Sequence, residues 1–371
     1  MEESADNNTT KNDDDVSVKR PKRSRSIRKV CLFGTSGNPP TGDSGHVGIV
    51  KILISIKQFD EIRILPVYSH SFSSKHKDMA SYDDRIKMCQ LAFEELSTPT
   101  TRVVVSKDEE KCYYRILEKM KEEQEQEQNG DTNDSTNATS KPGNVRVGTA
   151  SLLDMLLEEE DELDNEEDTG TSTRIEYTFC LGADTFLDLI EWKWIRSQDV
   201  VQLLKGRLLV LFRHGVTRKI RRRQVQVVVN TTACCNTDDS TDTNDDCAET
   251  IIEKRITQED LQQRIDEVNQ MDIACNNVRL LNITNADKDT VTLEDVSSTM
   301  IRKLCCCSES SNNGDIDNVL AQLQDQPNII HPNVLKYIID HKLYGLSTHP
   351  NSTTSTSTST SSSSATSSSK S

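Results

Sequence analysis

The chain has 371 residues, with 44 Lys and Arg against 60 Asp and Glu, for a net charge of −16. Only 34% of it is hydrophobic, too little for a chain packed throughout, and the acidic balance argues against nonspecific nucleic-acid binding. No apolar run approaches the ~18 residues of a membrane span, and the acidic, polar opening carries no secretory signal. The apolar deficit is uneven. It falls in a polar tail over residues 1–28, in inserts near 121–142, 158–173, 231–249 and 308–317, and in a Ser/Thr-rich tail over 347–371. These segments read as disordered. The remainder of residues 29–346, about 240 residues, suits one α/β domain.

In chain order, Lys19 to Lys29 is a basic run that reads as a nuclear-import signal, an anion-binding arm or a solvated tail. Val30 to Phe33 reads as a buried strand. It breaks into Gly34-Thr-Ser-Gly-Asn-Pro-Pro-Thr-Gly-Asp-Ser-Gly-His46, after which apolar residues recur at helical spacing from Val47 to Phe59. Glu61 to Val67 is a second strand, so the unit implies a right-handed parallel crossover. The loop Tyr68 to Lys77 leaves that strand at its carboxyl end, and Tyr82 to Leu96 is a helix. Arg102 to Val105 is a strand and Tyr113 to Met120 is helical. Asn144 to Val147 is a short strand or loop, and Gly148 to Leu157 is a helix with Thr149 placed to cap it. Ile175 to Leu181 is a strand running into Gly182-Ala-Asp184. Leu187 to Trp194 and the helix Asp199 to Leu204 follow, then strands at Arg207 to Phe212 and Asn277 to Ile283, and a helix at Val334 to Leu343. Strands alternating with helices predict a Rossmann-like, doubly wound parallel sheet.

Four segments fall at carboxyl ends of strands, where open α/β sheets bind ligands: Gly34 to His46, Tyr68 to Lys77, Gly182 to Asp184, and Ser297-Ser-Thr-Met-Ile-Arg302. Glycine amides and a helix N-terminus offer neutral donors to an anion. His46, Lys75, Lys77 and Arg302 add cationic or strong donors, and Asp184 can bind a hydroxyl pair. The set fits a phosphate-bearing ligand with a ribose. The eleven cysteines include Cys234-Cys235 and Cys305-Cys306-Cys307 but no C-x₂-C pairing. They read as reduced thiols of an intracellular protein, cytoplasmic, with nuclear import left open by the basic run.

The glycine loop resembles the (H/T)xGH loop of the nucleotidyltransferase superfamily, most closely that of the nicotinate and nicotinamide mononucleotide adenylyltransferases. Leu65 to Lys75 with Arg85 to Ala92, Gly182-Ala-Asp-Thr-Phe186, and Val296-Ser-Ser-Thr-Met-Ile-Arg302 extend the likeness over roughly residues 29–345. The resemblance implies the nucleotidyltransferase fold and transfer of the adenylyl group of ATP to a pyridine mononucleotide, with Mg²⁺ carried by the ATP phosphates. By the same analogy His46 and Arg302 are catalytic. Gly34, Thr35, Ser36, Thr41, Lys75, Ser298 and Thr299 hold ATP or its phosphates. Thr149, Gly182, Asp184 and Trp192 hold the mononucleotide, Trp192 by stacking on the ring unless it is ordinary core. The loop departs from the family pattern: Thr41 stands where a first histidine is usual, and extra residues precede His46, which leaves the reach of Thr41 open. Asp43 is expected to face solvent. Phosphopantetheine, FMN or cytidylyl transfer and a non-catalytic nucleotide-binding module are the alternatives. The oligomeric state, a homo-oligomer included, stays open.

Overall fold

A computed structural model describes residues 26–69, 79–129, 145–166, 173–212, 217–222, 250–281, 296–306, 323 and 326–346. Six strands form one sheet: β1 (Ser26–Thr35), β2 (Glu61–Pro66), β3 (Arg102–Val105), β4 (Thr173–Gly182), β5 (Leu208–Leu211) and a last strand, Arg279–Leu281. Their order is β3-β2-β1-β4-β5 and then the last strand, all parallel. This is the Rossmann-like doubly wound arrangement that the alternating pattern predicts. The order reverses between β1 and β4, and the crevice outside their carboxyl ends is the topological switch point.

Both faces of a parallel sheet must be covered, so its strands are apolar on both sides. In β1, Cys31 and Phe33 join one core and Val30 and Leu32 the other. The helices α1 (His46–Ser55) and α2 (Tyr82–Phe93) cover the first face. The second is covered by α3 (Asp108–Asn129), α4 (Thr149–Glu166), α5 (Ala183–Ile190) and α6 (Ser197–Leu203). At the amino ends of β1 and β2, Glu61 is buried and paired with Arg28 and Arg63, and Arg63 continues to Asp108.

Several expectations are corrected. Residues 121–129 and 158–166 are not disordered inserts: α3 and α4 run on through them, because Glu, Gln and Lys are good helix formers even with no apolar face to bury. The polar tail ends before residue 28, since β1 begins at Ser26 and pairs with Thr173. Cross-strand hydrogen bonding there overrides a polar composition. Thr149 is the first helical residue rather than the cap, which falls to Gly148, whose carbonyl takes the Leu152 amide. The first helix ends at Ser55, not Phe59, which turns into the core instead.

Three elements lie outside the sequence expectation. An antiparallel pair, β6 (Thr217–Arg222) with β7 (Thr250–Arg255), forms a separate small sheet. The helix α7 (Gln258–Asn269) opens with a capping box of Thr257 and Asp260. The last sheet strand, expected over Asn277 to Ile283, is Arg279–Leu281, numbered β8. Two further helices, α8 (Ser298–Cys306) and α9 (Pro332–Asp340), close the described chain. Among the described residues no helix is long and apolar enough to cross a membrane. The rest of the Lys19 to Lys29 run, the inserts at 130–142, 231–249 and 308–317, and the Ser/Thr tail lie outside the described residues.

The turn from α6 into β5 depends on Gly206. Its φ is +68°, and a Cβ there would lie 1.8 Å from the Ala274 carbonyl oxygen. Gly206→Ala should therefore cost about 2–4 kcal/mol. A fall of that size in the urea midpoint at constant m-value is the expected result; an unchanged midpoint contradicts the packing described.

Candidate active site

The loop after β1 is built on itself. Thr41 is 0% exposed. Its backbone amide donates to His46 Nδ1 at 3.1 Å, and its Oγ1 stands 2.6 Å from the same nitrogen. That Oγ1 also accepts the His46 amide at 2.8 Å. A backbone N–H can only donate, so Nδ1 is an acceptor and the ring hydrogen belongs on Nε2. Thr41 thus sets the tautomer and orientation of His46, and its hydroxyl is committed to that task. Gly45 must be glycine here, because a Cβ would lie 2.0 Å from Thr41 Oγ1.

The loop amides are not an open phosphate cradle. Gly42, Asp43 and Ser44 donate to the carbonyls of Ile329, Pro327 and Asn328 at 2.7, 3.3 and 2.9 Å. Gly45 donates to Gly42 and Val47 to Thr41. The residues inserted before His46 therefore dock on a C-terminal segment, and the amide donors expected for a phosphate are spent on it. Asp43, expected in solvent, binds Lys51 Nζ at 2.8 and 2.9 Å.

The C-terminal motif reaches the same loop. Ser298 Oγ donates to the Pro39 carbonyl at 2.7 Å, and Arg302 Nη1 donates to the Asn38 carbonyl at 2.7 Å. Arg302 Nη2 reaches Thr299 Oγ1 at 3.1 Å. A guanidinium has five N–H donors, so Arg302 keeps others for a ligand. The Asn38–Pro39 peptide is cis. Asn38 is itself buried, its Oδ1 accepting from the Ala80 amide and from Tyr344 Oη.

Arg85 is a residue to which no motif assigns a role. It is 2% exposed and donates to the carbonyls of Ser36, Val67, Tyr68 and Ala80. One side chain thereby joins the carboxyl ends of β1 and β2 to the start of α2. Burial lowers its pKa below the ordinary arginine value, yet it remains a cation at the floor of the crevice. No spacing rule finds such a residue, because its partners are carbonyls that only the folded chain brings together. Beside it, the Glu109 carboxylate accepts the Tyr68 amide at 3.0 Å, and burial pushes its pKa up to about 7.

The remaining predicted residues fall as follows. Gly34 is exposed at the end of β1, and Thr35 is buried with Oγ1 accepting the Gly37 amide. Ser36 is half-buried. Gly182 ends β4 on the neighbouring strand, and Asp184 stands exposed in the first turn of α5, over Gly182. Acidic residues suit that position through the helix dipole alone. Trp192 is 39% exposed and so is not core. It lies in the turn after α5, whose Arg196 binds Asp154 of α4 at 2.7 Å; α4 begins at Thr149. Among the described residues no hydrogen bond or ring contact joins Thr149 or Trp192 to the His46 loop. Lys75 and Lys77 lie outside the described residues. No group of three His, Cys, Asp or Glu that could hold a metal occurs among the described residues.

Stability should report Glu109. Its pKa is raised on folding, so the folded state binds the proton more tightly and stability falls as pH climbs from about 4.5 to about 7. Wild type should lose about 2–3 kcal/mol between pH 5 and 8 relative to Glu109→Gln, by urea titration at both pH values. For His46, ¹⁵N spectra should show Nδ1 unprotonated, and Thr41→Val should weaken that preference. A protonated Nδ1 in wild type contradicts the hydrogen-bond pattern.

Comparison with known proteins came to a short stretch. No family model matches the chain. Two curated proteins, each described as a probable nicotinate-nucleotide adenylyltransferase, come from Anaeromyxobacter sp. (strain K) and Anaeromyxobacter dehalogenans (strain 2CP-1). Each is 34% identical to this chain over 65 residues, covering 18% of this chain and 32% of the relative. The chain thus spans about a third of the length of the curated relatives it matches.

Proposed function

We propose that this chain is a nucleotidyltransferase that joins ATP to a pyridine mononucleotide, nicotinate or nicotinamide, with release of pyrophosphate. The observation that carries the reading is the convergence of His46, Ser298 and Arg302 on one loop, Asn38–His46, at the switch point of the sheet. The similarity to two probable nicotinate-nucleotide adenylyltransferases supports it.

In this reading the mononucleotide phosphate attacks the α-phosphorus of ATP and pyrophosphate departs in line. The nucleophile is already an anion, so no general base is required. Catalysis is positioning and neutralisation of charge on the transferring phosphate. His46, held by Thr41, offers its Nε2–H to that charge. Arg302 offers the guanidinium donors left after Asn38 and Thr299, and Ser298 and Thr299 stand beside it on the first turn of α8. Arg85 raises the local potential from below. Gly34, Thr35 and Ser36 border the nucleotide, Asp184 takes ribose hydroxyls, and Trp192, exposed, stacks on the pyridine ring. Thr149 and Gly182 border the same acceptor.

Asp43 is paired with Lys51, and no group of three His, Cys, Asp or Glu that could hold a metal occurs among the described residues. Mg²⁺ would enter on the nucleotide phosphates, and no step is assigned to it.

The test is pyrophosphate release from ATP with each acceptor. Release is expected with nicotinate or nicotinamide mononucleotide and not with phosphopantetheine or FMN; turnover only with the latter pair overturns the branch, and ATP binding without turnover overturns the enzyme. His46→Ala should lower kcat at least 100-fold with a small change in KM for ATP, because its donor acts on developing charge. Arg302→Ala should raise KM for ATP about tenfold or more as well as lowering kcat.

A further inference from the structure

A second cavity, about 520 Å³, lies far from the crevice, at the amino ends of β4 and β5. Ile175 lines it, while Gly182 of the same strand is at the crevice. Seven residues of strand separate the two, roughly 23 Å at 3.3 Å per residue. The volume falls within the range of small-molecule sites, about 300–1,000 Å³.

Four cationic side chains line it: Arg174, Arg196, Lys205 and Arg207. Only Arg196 is neutralised, by Asp154 at 2.7 Å and by Asp199. Arg207 spends Nε on the Tyr177 carbonyl at 2.8 Å, and none of Arg174, Lys205 and Arg207 has an ion-pair partner among the described residues. The wall also carries three acids. Asp199 holds Arg196, Glu160 Oε1 accepts the Ile175 amide, and Asp161 has a partner of its own. Burial lowers the Arg207 pKa; Glu176 and the wall's Glu160 oppose this, and Arg174 adds to it.

The cations are placed by rigid structure. Lys205 and Arg207 flank Gly206, whose amide donates to the Val201 carbonyl and which packs on Ala274. Asn277 Nδ2 holds the Lys205 carbonyl at 2.9 Å. Arg174 lies on β4, paired in register with Ile27. Arg174, Lys205 and Arg207, which lack ion-pair partners among the described residues, outnumber Glu160 and Asp161 in the wall, so an anion seated among them is attracted. Two guanidiniums and an ammonium, two of them on one turn and the third on β4, suit a multiply charged head better than a single carboxylate.

We propose that this cavity binds a phosphate-bearing small molecule, through Arg174, Lys205 and Arg207, at a site separate from the crevice. The proposal does not rest on the adenylyl-transfer reading. Trp194 lies two residues before Arg196 of the cavity wall, so its emission, read in a Trp192→Phe background that removes the ring assigned to the crevice, is a built-in reporter.

The test titrates inorganic pyrophosphate into the full-length protein at constant ionic strength, without ATP, by calorimetry and tryptophan emission. Wild type, Arg302→Ala and the doubly substituted Arg174→Gln/Lys205→Gln protein are compared. Both substituted side chains of the last are exposed, so the fold is expected to survive, and circular dichroism checks it; the single Arg174→Gln protein serves if the double does not fold. Saturable binding is expected in Arg302→Ala at within twofold of its wild-type affinity. The Gln variants should bind at least tenfold more weakly, or about threefold more weakly for the single substitution. Unchanged affinity in the Gln variants, loss of all binding in Arg302→Ala, or no saturable binding in wild type each overturns the proposal.

Discussion

The site depends on how one irregular loop is held. Residues 38–46 lack the regular hydrogen bonding of helix or strand, so every polar backbone group must find a partner elsewhere. Arg302 takes the Asn38 carbonyl across 264 positions of sequence, and Ser298 takes that of Pro39. Residues 327–329 take the amides of Gly42, Asp43 and Ser44, while Thr41 turns inward onto His46. With the loop pinned along its length, His46 has one orientation. Without those distant partners, the same residues would be a glycine-rich turn of no fixed shape.

The pinning has a chemical consequence. Glycine-rich loops often meet phosphate with backbone amides, but here the amides are occupied and the donors left to a ligand are side chains. Side-chain donors on α1 and α8 meet across the loop, near a buried arginine whose hydrogen bonds go to carbonyls and whose guanidinium lies over the Tyr82 ring. Such an arrangement concentrates positive potential in a chain whose total charge is strongly negative. The sum of charges therefore says little about the crevice; the acidic residues lie largely in polar segments along α3 and α4 and in the inserts.

Much of the strand pattern was open to reading because an all-parallel sheet buries both faces, which makes its strands short apolar runs. Arg102–Val105 was read with its observed bounds, and the carboxyl ends of β1, β2 and β4 follow from where those runs stop. Polar helix was harder. Lys121–Asn129 and Glu158–Glu166 have disordered-looking composition, yet they continue helices nucleated by the apolar turns before them. The capping box of Thr257 and Asp260 is a local signal, set among polar neighbours that hide the helix it opens. The β6–β7 pair carries no such signal, since Thr-Arg-Lys-Ile-Arg-Arg has little apolar alternation and its partner begins 28 residues after it ends.

By itself, the sequence determined the fold class, the strand ends from which the loops emerge, and the residue types those loops carry. Periodicity and glycine placement are local, and local features are what a linear string records. Tertiary structure alone decided that Thr41 serves His46 rather than a ligand and that Asp43 answers Lys51. It likewise decided that Arg85 ties two strand ends together and that Arg174, Lys205 and Arg207 share a cavity. Each of these depends on hydrogen-bond and charge partners at distances along the chain that no spacing rule specifies, because carbonyls and cations become neighbours only when the sheet closes around its core.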